Sequence, residues 1–208
     1  PNLFRRFFAE GAFNMAFVPM FSKKLESGDA PLVFAKDALS MLGLVLIALN
    51  VMALMAMPYL VWLMASGFSG DERFDLTVVF GRIAFPYILF ISLAALISGV
   101  LNSAGKFIAA AAAPILLNLC FITALFVASW MGWNIGLALA WSVPLAGIAQ
   151  LSFVWVAAYR AGFSLVPRMP RMTPELRRLA LIAAPVALAG GVVQVNLLVG
   201  RQIASYFE

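Results

Sequence analysis

The sequence predicts an all-α, polytopic membrane helix bundle, and three observations carry that prediction. Of 208 residues, 64% are hydrophobic and only 11% charged, against roughly 45–50% hydrophobic in a soluble domain. Charge-free runs of helical length recur: 33 residues between Asp37 and Asp71, 23 between Arg82 and Lys106, 53 between Lys106 and Arg160, and 22 between Arg178 and Arg201. The lysines and arginines that separate these runs gather on alternate connections. A soluble fold of this size has too little interior to hide so much apolar surface, so lipid is the expected solvent for most of it. A β-barrel would need polar residues at every second position, and none of the runs alternates in that way.

About 20 apolar residues at ~1.5 Å each cross a ~30 Å hydrocarbon core. Six spans are expected on that measure, at about 2–21, 38–65, 76–101, 107–130, 135–159 and 179–206. The first ends where Ser22-Lys23-Lys24 brings charge back. The second fills the 33-residue run, and its length allows some tilt. The third lies between Arg82 and Lys106 with a margin on its outer side. The 53-residue run is too long for one crossing and suits two, joined by a turn at Ser129-Trp130-Met131-Gly132-Trp133-Asn134. Its tryptophans are placed as interfacial anchors. The sixth span follows the longest connection, 160–178, which carries Pro167, Pro170 and Pro174. There Thr173-Pro174-Glu175 reads as a helix start, threonine capping and proline in the first turn.

Pro-rich and basic, 160–178 suits a linker between two helical bundles, which divides the chain into 1–160 and 161–208. Every span also holds a proline: Pro19, Pro58, Pro86, Pro114, Pro144 and Pro185. Each removes a backbone hydrogen bond and tends to kink its helix. Such kinks serve packing alone, or let a bundle bend between two states.

The connections set the orientation. Segments 22–37, 102–106 and 160–178 carry Lys23, Lys24, Lys36, Lys106, Arg160, Arg168, Arg171, Arg177 and Arg178, against Glu26, Asp29, Asp37 and Glu175. The opposite connections carry Asp71, Glu72, Arg73 and Asp75, and then no charge at 131–134. The positive-inside rule puts the first set in the cytoplasm and makes the first span run inward. The net charge of +5 and pI near 9.8 are read the same way, as orientation and attraction to membrane lipid headgroups. Nucleic acid is not an expected partner, because the basic segments lack the interleaved aromatics of a strand-binding groove.

The first span holds the functional lead. Pro1-Asn2-Leu3-Phe4-Arg5-Arg6-Phe7-Phe8-Ala9-Glu10-Gly11-Ala12-Phe13 places three charges in an apolar segment. Arg6 and Glu10 are four apart and share a helix face. Arg5 is rotated about 100° away and has no acid at i+3 or i+4. It lies 17 residues before Ser22, ~25 Å along a straight helix, and charge at that depth costs about 2.5–3.5 kcal/mol on insertion scales. Arg5 therefore takes an anion, pairs with an acid outside this chain, or snorkels. A guanidinium suits phosphate or pyrophosphate. Glu10 either pairs with Arg6 or gates by pairing elsewhere. Gly11, Ala12 and Ala16 offer a strip for close helix contact.

Asn14, Asn118, Gln194 and Asn196 are polar at membrane depth and read first as interhelical hydrogen bonds, with Asn14 also in reach of a ligand on Arg5. Arg82 and Arg201 near the outer span ends reach headgroups. The single cysteine, Cys120, sits mid-span as a small hydrophobe. Enzyme chemistry lacks its parts: no histidine, no metal-ligand cluster, no phosphate-binding glycine loop and no pair of membrane-facing carboxylates. No metal or cofactor is expected.

The opening stretch, followed by Ala16-Phe17-Val18-Pro19, resembles the second-helix signature of the MurJ/MviN family of bacterial lipid II flippases. Phe85-Pro86-Tyr87-Ile88-Leu89, Leu101-Asn102 with Lys106-Phe107, and Ala113-Pro114 with Leu116-Leu117-Asn118 resemble later stretches of that family. The likeness runs over nearly the whole chain. It implies a fourteen-helix, two-lobe MATE-like transporter of the inner membrane. The present chain, which opens on proline inside an apolar pattern, would be a fragment covering helices two to seven. It implies as substrate the undecaprenyl-pyrophosphate-linked peptidoglycan precursor, moved by alternating access, and a setting among the peptidoglycan synthesis machinery. Arg5 matches a cavity arginine of the family; Arg6 and Asn14 are carried as further substrate contacts, and Glu10 as a gating or intrahelical partner. Two other readings stay open: a flippase for another polyprenyl-linked oligosaccharide or a drug, and a non-transporting scaffold for cell-wall enzymes.

Overall fold

A computed structural model describes residues 12–64 and 72–185, and these are mostly helical, with no strand among them. The helices are α1 (Ala12–Ser27), α2 (Pro31–Met55), α3 (Met57–Met64), α4 (Glu72–Ala84), α5 (Tyr87–Ser103), α6 (Phe107–Met131) and α7 (Ile135–Arg160). A further helix, α8, occupies 174–185. Four segments are long and apolar enough to cross a membrane: Pro31–Met55, Arg73–Ser103, Phe107–Met131 and Ile135–Arg160. They correspond to the second through fifth expected spans. Half of the first, 2–11, and most of the sixth, 186–206, lie outside the described residues.

Segment 22–37, expected as a loop, is mostly helix. Charge ends a membrane span, but it does not end a helix, and Ser22–Ser27 continues α1 until Gly28 turns it at φ +69°. Ala30, left-handed at φ 44°, then starts α2 with proline in its first turn, where a missing N–H costs nothing. The true connection is Gly28-Asp29-Ala30. At α8 the helix begins at 174, ahead of the apolar span expected from 179. Its start is as expected, since Thr173 Oγ1 accepts from the Leu176 amide at 3.2 Å.

The prolines divide into two groups. Pro19, Pro114 and Pro144 lie inside unbroken helices. The expected span 38–65 is interrupted at Ala56, two residues before Pro58, and 76–101 is interrupted at Phe85-Pro86. The two breaks are neighbours, because α3 packs on α4. A Cβ on Gly81 would come within 2.9 Å of Met57 Sδ. Buried Met57, Val61, Val78 and Phe85 fill this contact.

Helix α5 is the hub and packs against α1, α2, α6 and α7. Asn14 and Val18 of α1 meet Ala95 and Gly99 of α5, so these two helices run parallel. Phe80 meets Gly136, and Tyr87 with Phe90 meets Gly147, so the α4–α5 segment also runs parallel to α7. Alternate crossings therefore point the same way. The ends of α1, α5 and α7 come together, and with them the basic segments 22–37, 102–106 and 160–178.

Two features fix the spacing of α5 and α7. At Gly147 an added Cβ would lie 2.8 Å from Tyr87 Cδ2 and 3.0 Å from Phe90 Cβ, so only glycine permits this approach. One turn later buried Gln150 accepts from Tyr87 Oη at 3.2 Å and donates to the Ala113 carbonyl at 3.0 Å, joining α5, α6 and α7. By contrast α6 is almost bare, with 6% of its apolar window buried against 50% for Arg73–Ser103.

The packing yields a testable contrast between two glycines of similar sequence context. Gly147→Ala is expected to destabilise the bundle by about 1–3 kcal/mol through overpacking. Gly43→Ala, whose Cβ would meet nothing nearer than Leu93 Cδ2 at 4.0 Å, is expected to be neutral or to stabilise by up to ~1 kcal/mol through helix propensity. Thermal unfolding in detergent checks both.

Candidate functional site

Arg5, Arg6 and Glu10, the charged residues singled out in the first span, lie outside the described residues, as do Gln194, Asn196 and Arg201. Asn14 is described. Its amide donates to the Ala95 carbonyl at 3.2 Å, so it ties α1 to α5 where Gly99 lets the helices approach. A Cβ on Gly99 would sit 3.2 Å from Val18 Cγ2 and 3.3 Å from Asn14 Oδ1. The contact is the interhelical bond expected of an amide at this depth, and it fixes the face on which α1 meets the bundle. Asn118 and Arg82 are exposed. Cys120 is half-buried and lines an apolar groove of about 730 Å³ between α6 and α7, with Leu116 and Thr123 on its own wall and Trp133 and Trp141 opposite.

Fixed charge among the described residues gathers at the basic end, in two clusters that sequence reading did not find. Asp37, in the second turn of α2, is 2% exposed. Both of its carboxylate oxygens accept from the Arg168 guanidinium, Oδ1 from Nε and Oδ2 from Nη2. The backbone amide of Arg168 donates to Ser40 Oγ at 2.8 Å, and Ser40 in turn donates to the Lys36 carbonyl at 2.8 Å. A buried carboxylate needs such a fork, because a charge removed from water must regain its hydrogen bonds. The bonds it donates to Asp37 raise the Arg168 guanidinium above its ordinary value, so this charge is permanent.

The second cluster centres on Lys24 at the end of α1. Its ammonium reaches Asp29 Oδ2 at 2.8 Å and Glu175 Oε1 at 2.7 Å, and lies 5.8 Å from the centroid of the Phe34 ring. Beneath it Phe17 stacks on Phe21 and on Phe34, each at 5.6 Å between centroids, and Phe163 meets Phe21 edge-on at 6.5 Å. The hydrogen bonds that Lys24 donates to Asp29 and then to Glu175 raise its pKa despite some desolvation.

Together these contacts bind the 163–173 connection and the start of α8 to the base of α1 and α2. Leu165, Leu176 and Leu179 are buried there as well. The connection is a strap, held along its length by side-chain contacts to the bundle. The local signal for it was faint, because Asp37 and Arg168 are 131 residues apart and nothing in either neighbourhood names the other.

No group of three or more potential metal-ligating His, Cys, Asp or Glu side chains occurs among the described residues. What the described portion offers chemically is a rigid apolar bundle with guanidinium and ammonium charge fixed at one end.

The whole chain, residues 1–208, matches the family model described as lipid II flippase MurJ. It is 48% identical over 212 residues to the probable lipid II flippase MurJ of Rhizobium tropici, covering 99% of this chain and 40% of that protein. Identity is 44% over 215 residues to the probable lipid II flippase MurJ of Rhizobium meliloti, covering 100% and 40% respectively. The lipid II flippase MurJ of Burkholderia cenocepacia is 36% identical over 213 residues, covering 99% and 41%. The chain thus spans about two fifths of the length of the curated relatives it matches.

Two outcomes are expected at the basic end. Asp37→Asn and Arg168→Ala should each raise protease cleavage within 163–173 several-fold, and the double variant should add little more, because both break one contact. Limited proteolysis of the reconstituted protein reads this directly. For Lys24 the folded pKa is raised, so its stabilising contribution is complete below the ordinary value of 10.5 and is lost as pH rises through the folded value. Thermal unfolding should fall more steeply above that pH in the parent than in Lys24→Met.

Proposed function

The chain belongs to the lipid II flippase MurJ family, and from that membership we propose that it is part of a flippase carrying lipid II across the inner membrane. The observation that carries this reading is the family match over residues 1–208, in a multi-pass membrane protein with four described spans. A transporter of this kind needs no bond-making residue. It needs a place for a pyrophosphate within the membrane and a way to expose that place to each side in turn.

Arg5 is the proposed pyrophosphate ligand. Its position in an apolar segment without a local acid leaves a charge for the substrate to balance, and a guanidinium binds phosphoryl oxygens in a forked geometry. Arg6 and Asn14 are proposed as flanking contacts, with Glu10 holding Arg6 or gating. Residues 1–160 belong to one lobe in this reading, and 161–208 form the connection and the first helix of the other. The two lobes alternate between openings toward each leaflet, in a protein of fourteen helices. The basic end formed by 22–37, 102–106 and 160–178 faces the cytoplasm, in line with the excess of lysine and arginine there.

In the full-length protein, Arg5→Ala should reduce lipid II translocation roughly 10- to 100-fold, the loss of about 1.5–3 kcal/mol for a hydrogen bond to a charged group. Arg5→Lys should keep part of the activity, since an ammonium retains charge without the fork. Unchanged transport in the alanine variant removes Arg5 from the site. Depleting the full-length protein separates transport from scaffolding: lipid II accumulates in the first case, whereas synthases mislocalise with normal lipid II in the second.

A further inference from the structure

The strap has an outer face that none of the contacts above uses. Its residues divide by direction. Leu165 is buried against the bundle, Arg168 turns inward to Asp37, and the side chains between and beyond them turn out. Val166 is 60% exposed, Met169 81% and Met172 63%. Arg171, Arg177 and Arg178 are exposed alongside them. Pro167 and Pro170 stiffen the segment by fixing φ, and the Asp37 fork with the Ser40 bond pins its middle. Three apolar side chains are therefore held outward by a rigid support, with Arg171 between Met169 and Met172 and with Arg177 and Arg178 following at the start of α8.

The height of this face follows from the same contacts. Asp37 is the last charge before the apolar run of α2, and Arg160 the first after the apolar run of α7. The Asp37–Arg168 fork places Arg168, and Met169 beside it, at the level where those runs begin. Tyr159, 69% exposed at the end of α7, has the amphipathic character of an interfacial anchor at that level. Exposed apolar side chains beside exposed arginines at this depth match the chemistry of the headgroup–acyl boundary, where apolar groups enter lipid and cations meet phosphate.

We propose that the 163–173 strap is an interfacial membrane anchor selective for anionic phospholipid. Val166, Met169 and Met172 enter the boundary, and Arg171, Arg177 and Arg178 take the lipid phosphates. The strap is a docking surface for the leaflet at the basic end. It rests on membrane placement alone and stands whatever the cargo.

Nitroxide labels at position 169 and, as an aqueous reference at the same end, at exposed Ser27 test this. The full-length protein is placed in phosphatidylcholine nanodiscs with and without phosphatidylglycerol. Oxygen, which partitions into lipid, and a water-soluble nickel chelate report each label's depth. The label at 169 should collide more with oxygen and the label at 27 more with nickel, and phosphatidylglycerol should deepen the first. The combined variant Arg171→Gln, Arg177→Gln, Arg178→Gln should lower phosphatidylglycerol enrichment among co-purified lipids, by up to about fivefold per arginine. Nickel access at 169 equal to that at 27 would overturn the proposal by showing a solvated strap. Protection of 169 from both reagents would overturn it by showing a strap covered by the rest of the protein. Unaltered lipid enrichment in the arginine variant would remove the phosphate contacts.

Discussion

Hydrocarbon offers a backbone or a charge nothing to bond to, so the long apolar helices among the described residues settle their backbone groups internally and carry their charges toward the ends. The consequence is visible in how the described charges are distributed. Between Asp37 and the far end of α2, and along all of α6 and α7 up to Arg160, the bundle carries no ionised group. Polar side chains that do enter, such as Asn14 and Gln150, are tied to backbone carbonyls of neighbouring helices. Charge sits at the two ends, and the described ion pairs, Asp37–Arg168 and Lys24 with Asp29 and Glu175, are at the basic one.

Within the apolar interior, greasiness cannot specify which helices touch, because lipid is as good a partner as another helix. Shape and the few polar bonds decide instead. The close approaches at Gly99 and Gly147, and the Tyr87–Gln150–Ala113 link, choose α5 as the hub and set its distance from α1 and α7. The bare face of α6 is equally apolar but lacks such devices, and it stays outside.

At the basic end the 160–178 connection is fixed to the bundle by side-chain contacts. A free linker would let a hinge fall anywhere in 160–178. Held by Asp37, Ser40 and Lys24, and by buried Leu165, Leu176 and Leu179, this stretch belongs mechanically to α1 and α2.

Much was legible in the sequence because the bilayer imposes local rules. Charge-free runs marked the four described spans, the turn at Ser129–Asn134 joined α6 to α7, and Thr173-Pro174 started α8. The motif around Arg5 pointed to the family. The ends of α1 and α2 were misplaced because a charge signals the edge of lipid and not the end of a helix, so Ser22–Ser27 and Pro31–Asp37 read as loop. All six prolines looked alike, since a lost hydrogen bond is local while the packing that keeps or breaks a helix around it is not. Composition could not separate the bare α6 from the buried α5, as both are uniformly apolar. The Asp37–Arg168 fork lay furthest out of sight: two ordinary charges in two basic segments, joined only when α1, α5 and α7 bring their ends together. The sequence by itself determined which segments enter lipid and which end is basic, because transfer free energy acts residue by residue. Only the tertiary structure decided partners, faces and the clamped strap, because those depend on shape and distance between residues remote in the chain.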